Sequence, residues 1–138
     1  MSRTLEEYLP PVKEDGLLLK KKFGYGAGNG TGSTVTQATN RATGVTINAL
    51  SGQITTNNAS LAAEASAVFT VTNNKVAATD VVVVSIASGT VALNTDVVVT
   101  AVAAGSFNIT VINNNAAAGT AETGAIVINF VVIKGTTT

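Results

Sequence analysis

The run DVVVTAVAAGSFNITVIN, residues 96–113, decides the fold class. In its second half Phe107, Ile109 and Val111 alternate with Asn108 and Thr110. A period of two puts the apolar side chains on one face of a strand and the polar ones on the other. The first half, Asp96–Ala103, is rich in valine, and Ala104-Gly105 between the halves marks a hairpin turn.

The same grammar extends in both directions. Strand signals from Ser33 onward fall at Thr34–Thr39, Gly44–Asn48, Gln53–Thr56, Ala67–Thr72, Asp80–Ala87, Asp96–Ala103, Ser106–Asn113 and Ala125–Ile133. Asn, Gly and Ser separate them, at Asn40-Arg41, Leu50-Ser51-Gly52, Asn57-Asn58, Asn73-Asn74, Ser88-Gly89 and Asn113–Gly119. These residues tolerate left-handed backbone or bond to their own main chain. Val81–Val84 and Ile126–Ile133 are apolar at nearly every position. Such runs are expected to be buried on both faces, in the middle of a sandwich or under a partner subunit. Leu61–Ala67 reads either as one helical turn or as a loop leading into a strand. Eight short strands without intervening helices predict an all-β fold, an antiparallel β-sandwich or jelly roll.

Charge is distributed unevenly. The first 22 residues hold nine charges, and the rest of the 138-residue chain holds only Arg41, Glu64, Lys75, Asp80, Asp96, Glu122 and Lys134. Three regions follow: an extended charged arm at 1–23, a glycine-rich hinge at 24–33, and a β-sandwich body at 34–138. Pro10-Pro11 favours extended backbone in the arm. Leu17, Leu18 and Leu19 stand beside Lys20, Lys21 and Lys22, followed by Phe23 and, past one glycine, Tyr25. Leucines that fill a groove while lysines meet acids outside it make this segment the candidate partner-binding element. The hinge contains GYGAGNGTG (residues 24–32), but no Gly-Lys-Ser/Thr follows it, and a linker is the expected reading over a phosphate loop.

The composition argues against most chemistry. Without His or Cys there is no triad base, no thiolate and no common zinc ligand set. Glu64, Asp80, Asp96 and Glu122 show no spacing that demands a paired-carboxylate cleft or a calcium loop. Asp80 and Asp96 precede valine runs, where an acid is expected to solvate a turn and discourage edge pairing. Net charge is zero, so no global field steers the protein to nucleic acid or to an anionic membrane. The start of the chain lacks the apolar run of a signal peptide, and no stretch is long enough to span a bilayer. A structural, non-enzymatic protein is expected, with no cofactor, metal or small-molecule substrate. Mean hydropathy is +0.38 at 12% charged residues, which points to apolar surface buried between copies.

The phrasing of residues 24–135 carries a resemblance. GYGAGNGTGSTVTQATNRATGVTINALSGQITTNNASLAAEASAVFTVTN, then AATDVVVV, AVAAGSFNITVIN and AIVINFVVIKG, resembles small virion structural proteins of tailed bacteriophages and prophages, in particular head decoration (cement) proteins. The resemblance implies a β-rich module in many copies on the outer surface of a phage head, made in the host cytoplasm and bound to the major capsid protein. A homotrimer suits three-fold lattice positions. A tail, fibre or baseplate component touching a host glycan through loops such as Asn113–Gly119 is the alternative, and a bacterial surface domain of immunoglobulin-like form is a third reading.

Overall fold

The computed structural model describes residues 24–25 and 31–136. The partner-binding candidates Leu17 to Phe23, and the arm as a whole, lie outside the described residues. The body is all-β, and the described residues contain no helix. Eight strands run in chain order: β1 Thr31–Thr36, β2 Val45–Thr46, β3 Ser51–Thr55, β4 Ser66–Thr72, β5 Val81–Ser88, β6 Thr95–Ala103, β7 Ser106–Asn113 and β8 Val127–Ile133. They form two four-stranded sheets, ordered β1-β3-β8-β5 and β2-β4-β7-β6.

The strongest sequence pattern became the strongest element. Phe107, Ile109, Val111 and Asn113 of β7 are buried, while their alternates stay partly open. Gly105 turns the β6–β7 hairpin with φ +82°, a left-handed conformation that a side chain disfavours. β7 occupies an inner position, pairing antiparallel with β4 and β6. Its apolar face meets Ile54 of β3, Val82 of β5 and Ile128, Phe130 and Val132 of β8 in one core. The rings of Phe107 and Phe130 join the sheets at a centroid distance of 5.6 Å. Each fully buried Phe or Ile contributes about 1.5–3 kcal/mol of transfer free energy, and these residues hold the layers together.

Connectivity departs from the expected antiparallel pattern. β6–β7 is the one connection between sequence neighbours of the same sheet, and the other links carry the chain from one sheet to the other. Odd-numbered strands start at the end that holds the Ala104-Gly105 turn, here the hairpin end, and even-numbered strands start at the far end. β1 therefore lies parallel to β3, and β2 parallel to β4. The sheets are mixed. The last two strands supply the antiparallel pairings: β8 inserts between β3 and β5, and β7 between β4 and β6.

Local details refine these expectations. The valine run Val81–Val84 is not buried on both faces within the chain. β5 is an edge strand, and Val81 and Val83 are 56% and 46% exposed while Val82 is buried. β8 is central, yet Asn129 and Ile133 are exposed on its outer face. The first strand begins at Thr31 and so takes in Gly32 and Ser33, which the sequence assigns to the hinge. Leu61–Ala67 takes the second of its two readings, a loop leading into β4, in which Leu61 makes an isolated bridge to Glu122 and Glu64 adopts φ +62°.

Candidate interaction surfaces and a buried charge network

Charge in the body sorts by burial. Lys75, Lys134, Glu64 and Asp96 are exposed, whereas Arg41, Asp80 and Glu122 are buried. Sequence reasoning placed Arg41 in a turn and gave Glu122 no special role. The structure brings both into one network at the far end.

Arg41 reaches inward from the β1–β2 connection. Its guanidinium donates to the carbonyls of Ala59, Glu122 and Gly124 at 2.5, 3.1 and 2.8 Å, and to the Thr56 hydroxyl at 3.1 Å. A planar fork with five donors suits this task, because it joins three chain segments at once. Burial lowers the guanidinium pKa, and the nearby Glu122 charge opposes that shift. Glu122 lies on the β7–β8 connection. Its carboxylate accepts the Thr95 hydroxyl at 2.7 Å and the N–H groups of Gly124 at 2.7 Å, Val91 at 3.1 Å and Ala92 at 3.1 Å. Burial raises a carboxylate pKa, but these four donors outweigh it and hold Glu122 below the ordinary carboxylate range. With its acceptor capacity filled and no solvent exposure, Glu122 ties three loops together and presents no free lone pair for proton transfer.

Asp80 corrects a further expectation. It does not solvate a turn. It is buried, accepting the N–H groups of Ala77 at 2.8 Å and Gly135 at 3.0 Å and pairing with Lys134 at 2.5 Å. Burial raises its pKa, and the Ala77 N–H, Lys134 and the Gly135 N–H bring it below the ordinary value. Asn40, Asn57, Asn73 and Asn113 each accept the N–H two residues ahead, which is how the Asn-rich turns are fixed. No group of three His, Cys, Asp or Glu side chains among the described residues converges to hold a metal ion.

The outer faces are nearly uncharged, with Asp96 of β6 accepting from the Asn114 amide at 2.7 Å. Gln53 donates to Asn129 at 2.9 Å, Thr70 to Asn108 at 2.9 Å, and the hydroxyls of Thr100 and Thr110 lie 3.0 Å apart. A groove of about 350 Å³ runs along β1 and β3, lined by Ser33, Thr34, Ser51, Gln53 and Asn129 among others. Val68 of β4 and Val98 of β6 are exposed on either side of Thr110 on the outer face of their sheet, and the other exposed aliphatic side chains gather at two places. One is the corner at the hairpin end, with Val81, Val83 and Ile133. The other is the β5–β6 loop, where Leu93 is 97% exposed beside Val91.

Tyr25 is the one partner-binding candidate among the described residues. It is half-exposed, and its hydroxyl donates to the carbonyl of Val132 on β8. Tyr25 is therefore held at the hairpin end, beside the apolar corner. No family model matches the chain, and neither does any curated protein or solved structure.

Proposed function

We propose that this is a non-enzymatic structural protein of a phage virion, a capsid decoration protein that binds the outer surface of the major capsid shell and stabilises it. The observation that carries the reading is the form of the body: a two-layer sandwich whose acids are either locked in structural networks or isolated on the surface. Such a body offers rigidity and many neutral contact faces but no constellation for catalysis. The phrasing of residues 24–135, which resembles head decoration proteins, supports the same reading.

The arm would make the attachment. Tyr25 is held on β8, and 23 residues, were they extended, would reach on the order of 75 Å, far enough to cross onto a neighbouring subunit. Leu17–Leu19 and Lys20–Lys22 would dock with the major capsid protein or an adjacent copy, and repeated contacts on a lattice add avidity. A homotrimer matches three-fold lattice positions. The test is binding of the full chain, and of a chain lacking residues 1–23, to heads stripped of this protein. Saturable binding at hundreds of copies per head, lost on truncation, is the expected result. Full occupancy by the truncated chain would refute the arm's role.

One observation favours the second reading, a tail or fibre component that contacts a host glycan. The β1–β3 groove sets the hydroxyl and amide side chains of Ser33, Thr34, Ser51, Gln53 and Asn129 around a mainly apolar lining that includes Phe130, a mix that suits a neutral sugar. That reading expects few copies per particle, confined to the tail.

A further inference from the structure

The two ends of the body differ in a complementary way. At the hairpin end the exposed charges are both cations. Lys134 donates to the Lys75 backbone carbonyl at 2.8 Å and pairs with the buried Asp80 carboxylate at 2.5 Å, so its charge is met in part within the chain while Lys75 stands exposed beside it. At the far end the exposed charges are both acids. Asp96 opens β6, and Glu64 is fixed by its N–H bond to the Asn113 carbonyl at the close of β7. These four are the exposed charged side chains among the described residues.

Apart from Val68 and Val98 on the outer face of the β2-β4-β7-β6 sheet, the exposed aliphatic side chains lie toward these same two ends. The corner of Val81, Val83 and Ile133 lies at the hairpin end, where Val81 pairs with Ile133 and Val83 with Val131. The Val91–Leu93 prong projects at the far end, beyond the last residue of β5. This prong is held firmly. Glu122 clamps the N–H groups of Val91 and Ala92, Ala92 is buried, and the neighbouring backbones pack so tightly that a Cβ on Gly124 would stand 1.8 Å from the Gly89 carbonyl. A leucine presented to solvent on a rigid loop loses little conformational entropy when it docks. Between corner and prong runs the β5 edge, VVVVSIAS, without a charge or proline to discourage contact.

From this polarity we infer that copies of the chain associate head to tail. The Val91–Leu93 prong of one copy packs on the Val81, Val83 and Ile133 corner of the next, with Glu64 and Asp96 facing Lys75 and Lys134 across the rim. The apolar contact supplies affinity, and the opposed charges set orientation. A heterologous contact of this kind closes into a ring if its rotation permits and otherwise propagates. The second copy is a better occupant of the corner than the chain's own arm, because Lys20–Lys22 would meet the lysines already there. The inference stands apart from capsid binding, since it concerns contacts between copies alone.

The test uses sedimentation velocity on the full chain and two full-length variants, Leu93→Asp and Val83→Asp, both at exposed positions. The parent self-associates with rising concentration, and each variant alone weakens association at least about tenfold. Mixed together, the two variants form 1:1 dimers and nothing larger, because one carries an intact corner and the other an intact prong. Recovery in the mixture also shows that both variants are folded. A mixture that stays monomeric, variants that associate like the parent, a parent monomeric at all concentrations, or association lost only on deleting residues 1–23 would each overturn the inference.

Discussion

Arg41 and Glu122 carry much of the far end's order, and their replacement should be costly even though neither touches solvent. Glu122→Gln keeps the shape but sets an amide NH2 among four donors, and is expected to destabilise the body by about 3 kcal/mol in denaturant unfolding. Arg41→Lys keeps the charge but cannot span four acceptors, and a loss of roughly 2 kcal/mol or more is expected. The pH response has a defined sign. Glu122 and Asp80 both have folded pKa values below their unfolded ones. Their stabilisation is complete above the ordinary carboxylate range and is lost as pH falls through the lower, folded values. Melting temperature should therefore decline in acid, and Glu122→Gln should flatten that decline. None of this was legible beforehand. Asn-Arg-Ala and Ala-Glu-Thr read as turns, and burial of their charged side chains depends on loops from distant parts of the chain meeting at one end.

The strands themselves were far more readable. β7 matches its expected limits because strict alternation fixes both period and face. The valine run of β5 left two places open, the middle of a sandwich or beneath a partner subunit, and the structure removes the first, because periodicity cannot separate a strand covered on both faces from an uncharged edge. The difference is measurable. Val83→Lys should change monomer stability by less than about 0.5 kcal/mol, whereas Ile128→Ala, in the core of β8, should cost about 2–5 kcal/mol. Equal losses would return β5 to the interior. The parallel pairings of β1 with β3 and β2 with β4 had no local signal. Turn chemistry marks where a strand ends and says little about which sheet receives the next one.

The insertion of β7 and β8 into the middle of each sheet makes the molecule depend on its last strands. Removing residues 125–138 takes out the strand that joins β3 to β5, and circular dichroism of that fragment should show no cooperative unfolding transition. The finished body carries little charge on its faces, is polar in charge between its ends and holds Tyr25 at the hairpin end. That form suits the decoration role proposed above, which predicts a position on the head of a particle. Immunogold electron microscopy of virions, with an antibody to the body, tests this directly. Regular label over the whole head, in hundreds of copies, is the predicted result. Label confined to the tail, or absent from particles, would contradict it.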